Sequence, residues 1–413
     1  MHRRAMLLSA TALALTACAA PQMPVEPDPS TPLTPPNINP SDANFDTALY
    51  RAVATEPGNQ FVSPYSVSAA FELVYPGAGG TTASEIANTF GFDASAESAA
   101  RNARTRADGI RSETGGSELN IANAAWVEQT MQLRPAYAHT ISETLGGTIQ
   151  PVPFRANQIA ALRTINEWAS RETRGRIPSI LSEPNPDRRL VLTNAVYFKG
   201  KWSDPFTADG TRDGDFYTGA ETHVPARLMR QLTTARYMET PTFQAADFDY
   251  DNGAFALAVF LPKERTGLAA FERELTGENL DTWMVNLAGA QRPRLDLTLP
   301  KIEMRASYDL GGTLQAMGVR EAFTDNANLD AMADDPNLLI SAVIQKTFLA
   351  IDEEGTEAAA VTAVDIVTSS ARIGPPPPPP IEFKADHPFF IVLHHKPTRT
   401  RLFMGRIATT ETE

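Results

Sequence analysis

Asp352–Arg372 reads Asp-Glu-Glu-Gly-Thr-Glu-Ala-Ala-Ala-Val-Thr-Ala-Val-Asp-Ile-Val-Thr-Ser-Ser-Ala-Arg. From Thr356 to Ile366 it holds no glycine, no proline and no large side chain. One alternate set, Thr356, Ala358, Ala360, Thr362, Val364 and Ile366, is small or apolar and uncharged. The other, Glu357, Ala359, Val361, Ala363, Asp365 and Val367, carries every charge. A period of two with charge on one face predicts a half-buried strand. The flanks disagree. Glu353-Glu354-Gly355 ahead of it reads as a hinge, and Gly374 with Pro375–Pro380 behind it cannot join a sheet ladder. A strand-competent segment bounded like an exposed loop predicts a loop with two states. On propensity alone the same residues also admit an acidic helix start running into an Ala-rich helix.

The rest of the chain decides between these readings. Glu353-Glu354-Gly355-Thr356-Glu357-Ala358-Ala359-Ala360 resembles the reactive-loop hinge of the serpins. That resemblance, and not the alternation itself, implies that the loop is added to a sheet as a strand with release of stored strain. Phe61-Val62-Ser63-Pro64-Tyr65-Ser66-Val67-Ser68 is similar to the family's strand end leading into a helix under the main sheet. Ile165-Asn166-Glu167-Trp168 with Gly175 and Ile177 is similar to the helix that lies across the front of that sheet. Leu192-Thr193-Asn194-Ala195-Val196-Tyr197-Phe198-Lys199-Gly200-Lys201-Trp202 reads physically as a central strand covered on both faces. It resembles the serpin strand leading to the buried tryptophan where loop insertion begins. Phe383–Phe389 and Leu402–Arg406 are similar to the C-terminal strands. The likeness runs from about Ser41 to Arg406. It implies an α+β serpin fold: a large mixed central sheet, surrounding helices and an exposed reactive-centre loop at about 353–380.

Periodicity places the other elements. Asp42–Ala54 predicts a helix with Phe45, Leu49 and Val53 on one side. Helices are expected at Thr81–Phe90, Ala94–Arg111, Pro135–Leu145, Asn157–Arg176 and within Leu268–Leu287, and a short helix with a following turn in Leu314–Asn328. In Asn157–Arg176, Ile159, Leu162, Ile165 and Trp168 fall at helical spacing. Strands are expected at Leu119–Val127, Thr148–Phe154 and Phe255–Lys263, with Leu295–Met304 one alternating strand.

The N-terminus has its own logic. Arg3 and Arg4 precede an apolar run, Ala5–Ala17, too short to span a bilayer, so residues 1–17 read as a cleaved signal. Leu15-Thr16-Ala17-Cys18 resembles the lipobox of bacterial lipoproteins, which implies that Cys18 is acylated and becomes the mature N-terminus. An ordinary signal peptide containing a cysteine is the alternative. Ala19 after the cysteine favours, by the same resemblance, the outer membrane, with the domain facing periplasm or cell surface. Pro21–Pro40 holds eight prolines and cannot bury enough apolar surface to fold. Residues 18–40 are therefore expected to form a lipid-anchored tether, spanning about 60 Å at roughly 3 Å per residue. The folded part is expected at 41–413.

Composition excludes several functions. Of 413 residues, 36 are Lys or Arg and 49 Asp or Glu, a net charge of −13; loss of the signal takes Arg3 and Arg4 with it and leaves −15. No basic stripe appears, which argues against nucleic-acid partners. Cys18 is the only cysteine, so no internal disulfide and no Cys-based metal site can form. The six histidines lack metal-ligand spacing; His394 and His395, adjacent on a strand, are expected to point one inward and one outward. No nucleophile elbow, zincin motif, phosphate loop or dinucleotide fingerprint is present. An enzyme is not expected, and neither is a cofactor.

The resemblance implies a suicide-substrate inhibitor of serine proteases, or of cysteine proteases, acting as a monomer. The alternative is a non-inhibitory serpin, a surface lipoprotein that binds a ligand or partner. Counted from Gly355, serpin spacing puts the attacked bond at Ser369–Ser370, which suits an elastase-like or subtilisin-like protease. The competing bond is Arg372–Ile373, suited to a trypsin-like one. Ser63, Ser66, Asn194, Trp202 and Gln345 are expected to line the region where the sheet opens. Gln345 stands where serpins usually carry a histidine, and family logic puts it near Asn194 and Ser66. It keeps donors and an acceptor but loses any pH response there. Pro375–Pro380 is expected to form a stiff rod that aims the loop.

Overall fold

The structure, a computed structural model, describes residues 45–112, 118–145, 147–251, 253–335, 337–356 and 378–411. All lie within the unit Pro35–Glu413. The signal, Cys18, the tether, Glu357, Ala358, Ala359 and Ala360 of the hinge, and both candidate bonds, Ser369–Ser370 and Arg372–Ile373, lie outside the described residues.

Helix α1, Phe45–Val53, buries Phe45, Leu49 and Val53 along one stripe. Strand β1, Gln60–Val62, runs into α2, Pro64–Val74. Proline costs nothing at the first helical position, and the Ser63 side chain caps the helix by accepting from the Ser66 N–H at 3.4 Å. Helix α3, Gly80–Phe90, stops at left-handed Gly91, and α4, Ala96–Ser112, follows. Next come β2, Glu118–Glu128; α5, Pro135–His139, which continues as a π-helical turn to Leu145; β3, Thr148–Val152; and α6, Gln158–Glu172, capped by Asn157. Then follow β4, Leu190–Lys201; β5, Arg212–Tyr217; β6, His223–Thr234; β7, Arg236–Glu239; β8, Phe243–Asp249; and β9, Phe255–Pro262. Helices α7, Leu268–Glu274, and α8, Gly277–Ala288, lead to β10, Arg294–Pro300, and β11, Ile302–Asp309. The chain ends with α9, Gly311–Met317; β12, Ile340–Ile351; β13, Gly355–Thr356; β14, Ile381–Lys384; β15, Phe389–His395; and β16, Thr400–Ile407.

Among the described residues the strands form three sheets. One six-stranded sheet runs β1-β16-β15-β9-β8-β7, a four-stranded sheet runs β14-β10-β6-β5, and the main sheet runs β11-β12-β13-β4-β2-β3. Strand β4 explains its own sequence. Leu190 and Leu192 pack into one core with α1 and α2, Val196 and Phe198 into a second between the sheets, and Val191 and Ala195 into a third beneath α6. A strand that feeds three cores has no polar face to show.

Three expectations are corrected. Leu295–Met304 is not one strand: Pro300 is the last residue in register with β6, and Ile302 already pairs with β12 in the main sheet. Proline has no N–H with which to continue a ladder, and the chain changes sheets at Lys301. Ile159 is 66% exposed, because α6 buries Ala161, Ile165, Trp168 and Ala169 instead. His394 and His395 are both buried, since β15 lies inside a covered sheet; they bond Asp247 and Thr398 at 2.8 Å each.

Candidate functional site

The site is the seam between β12 and β4. These strands pair in parallel from Ile340–Leu190 to Phe348–Tyr197 and then separate. Into the opening comes β13, antiparallel to both neighbours: Thr356 faces Ile351 and Gly200, and Gly355 faces Lys201. A tight turn delivers it. The Asp352 N–H donates to Gly355 O at 2.8 Å, while Asp352 Oδ1 accepts from the N–H groups of Glu354 and Gly355 at 3.0 and 3.2 Å. Gly355 has φ +150°, and a Cβ there would lie 2.0 Å from Gly200 O. Only glycine fits.

The mouth of the seam is built from aromatic rings and main-chain bonds. Trp202 donates from its N–H to Glu354 O at 2.8 Å and from Nε1 to Asp352 O at 3.0 Å. Its ring stacks on Tyr250 at 4.4 Å, and Phe198 meets Tyr250 edge-on at 5.1 Å. The Tyr250 hydroxyl lies 2.8 Å from Thr356 Oγ1, with both residues fully buried. Burial pushes the Tyr250 hydroxyl pKa far up, so it stays a neutral partner. Glu353 accepts from Lys301 Nζ at 2.6 Å and Thr211 Oγ1 at 2.8 Å. Burial alone would raise its pKa, but Lys301, a backbone N–H and Thr211 outweigh that and hold the carboxyl below the ordinary value. Asp352 moves the other way: burial raises it beyond what its two backbone donors restore.

Deeper in the seam, Gln345 on β12 stands opposite Asn194 on β4. They do not share one network. Gln345 accepts from Ser63 N at 3.0 Å and donates to Ser63 O at 2.9 Å. Ser66 Oγ and Asn194 Nδ2 both donate to Asn123 Oδ1, at 2.8 and 3.0 Å. Asn194 Oδ1 is buried without a protein hydrogen-bond partner among the described residues. Gln345 thus reaches Ser63 and not Ser66, because its amide can take the Ser63 main chain two-sidedly at the start of α2.

Sequence reasoning missed Asn123, Tyr250, Lys301 and Thr211. Asn123 alone left a trace, a polar residue among the alanines of β2; the others meet the hinge across long sequence separations. No group of three or more His, Cys, Asp or Glu among the described residues could hold a metal ion, and no described helix is long and apolar enough to cross a membrane.

Residues 40–410 match the family described as Serpin (serine protease inhibitor). Iripin-2 of Ixodes ricinus is 32% identical over 373 residues, covering 88% of this chain and 91% of its own. Leukocyte elastase inhibitor A of Mus musculus is 33% identical over 387 residues, covering 89% and 99%. Serpin48, a highly specific serpin of the insect Tenebrio molitor, superposes with a TM-score of 0.78 at 27% identity over 90% of this chain and 98% of its own. Human thyroxine-binding globulin, solved in complex with thyroxine, gives 0.79 at 27% identity over 90% and 97%. The family is described as one of serine protease inhibitors and not of catalysts; one of these relatives is named for inhibiting an elastase and another for binding thyroxine. With the match spanning nearly the whole described fold, and Gly355 and Thr356 seated between β4 and β12, the chain belongs to the serpin family.

Proposed function

We propose that the protein is a suicide-substrate inhibitor of serine proteases, with cysteine proteases as a second target class. A protease attacks a carbonyl in the loop beyond Thr356 and forms an acyl-enzyme. The cut loop then advances between β12 and β4, carrying the enzyme with it and deforming its active site before water completes hydrolysis. One observation carries this reading. The first two residues of the would-be strand already lie in antiparallel register with both neighbours, and the Thr356 hydroxyl is paired with Tyr250. Inserting about 12 residues at ~1 kcal/mol net per hydrogen bond supplies on the order of 10 kcal/mol, opposed by backbone ordering.

The Ser369–Ser370 bond, preceded by Ile366, Val367 and Thr368, suits an elastase-like or subtilisin-like enzyme. The mouse relative, a leukocyte elastase inhibitor, supports that class. Attack at Arg372–Ile373 by a trypsin-like enzyme leaves a longer tether with slack in it, so substrate behaviour is expected there. Cys18 anchors the protein by its lipid to the outer membrane, facing periplasm or cell surface, with residues 18–40 as spacer.

The test is a panel of elastase-like, subtilisin-like and trypsin-like proteases, scored for SDS-stable complexes and for the mass of the released C-terminal fragment. A fragment beginning at Ser370 with a stable elastase complex supports the reading. A fragment beginning at Ile373 with a stable trypsin complex moves the reactive bond to Arg372. If no complex forms, and cutting the loop leaves the melting curve unchanged, the non-inhibitory reading replaces this one; likeness in fold to a thyroxine-binding globulin favours it.

A further inference from the structure

Phe348 is 1% exposed, yet it belongs to none of the three apolar cores among the described residues. It shares the α6 side of the main sheet with Ala342, two positions at a time along β12. Its cover is cationic. The Arg305 guanidinium sits 4.8 Å from the ring centroid and that of Arg176 sits 5.3 Å from it. Arg305, directly opposite Phe348 on β11, also donates from Nη1 to Arg176 O at 3.1 Å.

The chain is built locally to deliver Arg176 there. After α6 ends, Arg174 and Gly175 take positive φ values of 52° and 82° and turn the chain back. Thr173 fixes that turn by donating to Ala169 O at 2.7 Å and accepting from Ile177 N at 3.0 Å.

The position of Phe348 in the seam is what gives this arrangement a consequence. Phe348–Tyr197 is the last pair joining β12 to β4 before Thr356 enters between the strands. It is the first pair that must part when more chain follows. Arg305 belongs to the β11–β12 side of the opening, whereas Arg176 lies on the connection from α6 to β4. Admitting a strand moves the two sides apart by a further strand spacing of about 4.8 Å. A hydrogen bond of 3.1 Å cannot absorb that.

We infer that Arg176 and Arg305 form a clasp over Phe348 whose release sets the rate at which the main sheet admits the cut loop. This rests on the insertion reading above and makes both arginines positioning residues for it. Slow release gives a bound protease time to deacylate and escape; fast release favours trapping. The same clasp restrains the uncut protein from spontaneous insertion.

The experiment follows acquisition of heat resistance by the full chain after a single cut in the loop, sampled over time, in wild type and in an Arg176→Gln/Arg305→Gln variant. Both guanidiniums are surface groups, so the uncut variant is expected to melt close to wild type. Taking both cations off the ring should speed conversion on the order of tenfold. Arg176→Lys/Arg305→Lys, which keeps charge over the ring, should fall in between; general loosening of the fold would lower the uncut Tm without that graded rescue. Phe348→Leu removes the ring and leaves both arginines, and carries the same test should the double variant not fold. A wild-type gain in heat resistance with conversion rates within about twofold in all variants overturns the clasp alone. A wild type that gains nothing on cutting overturns the insertion reading, and the clasp with it.

Discussion

Thr356 Oγ1 and the Tyr250 hydroxyl lie 2.8 Å apart, fully buried, where the main sheet opens to receive the loop. This contact makes Thr356 an inward residue of the sheet. An arginine there must bury an uncompensated charge against Tyr250, at a cost of several kcal/mol. Thr356→Arg is therefore expected to leave the uncut fold intact with its hinge expelled, and to turn an inhibitor into a substrate. Val361→Glu, on the outward set of the alternation, should do far less. Stoichiometry of inhibition against an elastase-like protease separates the two; equal loss in both variants refutes the assignment of faces.

Gly355→Ala tests the hinge from the backbone side. The new Cβ would sit 2.0 Å from Gly200 O and 2.7 Å from Lys201 Cα, neither of which is a flexible side-chain end. The positive φ adds strain of order 1–3 kcal/mol. Residues 355 and 356 should leave the sheet, releasing the Glu354–Trp202 main-chain bond with them. Limited proteolysis ought to cut the variant faster around 353–356 than wild type. An unchanged digestion pattern means the sheet accommodates the methyl group.

Acid should loosen the hinge through Glu353. Its folded pKa lies below the ordinary glutamate value, so its contribution is present above the unfolded pKa and is lost as pH falls through the folded one. Asp352, raised by burial, has the opposite sign and partly offsets that loss as it protonates. Lys301 is 39% exposed at its side chain, so solvent screens the pair and about 1 kcal/mol is the expected scale. Urea melts of wild type and Glu353→Gln should differ at pH 7 and converge as pH falls below the ordinary glutamate value and through the lower folded one. A gap that persists undiminished in acid rules out the ion pair as its source.

How far the fold is legible in the sequence follows from the range of each interaction. Strand β4 is visible because its burial on every side is written in consecutive residues, and α2 because Ser63 and Pro64 mark its start within a single turn. Gly355 can be singled out, but the reason for it, Gly200 O, lies 155 positions away. Tyr250 leaves no local mark: its neighbours on β8 and β9 determine its place, while Thr356 and Trp202 determine its role. Leu295–Met304 misleads because alternation reports a face and not a partner; its apolar phase slips from Leu295, Leu297 and Leu299 to Ile302 and Met304, and that slip at Pro300-Lys301 is where the chain changes sheet. Ile159 misleads for a related reason, since helical spacing cannot say where the neighbouring sheet ends.

Asn194 supplies the last prediction. Its Oδ1 is buried with no protein hydrogen-bond partner among the described residues, although its own Nδ2 and the neighbouring Thr193 hydroxyl are both paired. Such an acceptor costs about 1–3 kcal/mol while it stays unmet. Continuing the register of Gly355 with Lys201 and Thr356 with Gly200 down an opened seam brings residue 362 level with Asn194. Continuing that of Thr356 with Ile351 brings it level with Gln345. Residue 362 is a threonine, on the same alternate set as Thr356, so on insertion its hydroxyl arrives on the Asn194 side with a proton to donate. Thr362→Val should then leave the uncut protein unchanged and lower the stability of the cut, inserted form by about 1 kcal/mol. Asn194→Ala combined with Thr362→Val should cost less than the sum of the two single changes. Denaturant melts of cut and uncut protein for all three variants measure this directly, and strict additivity would mean that the two side chains never meet.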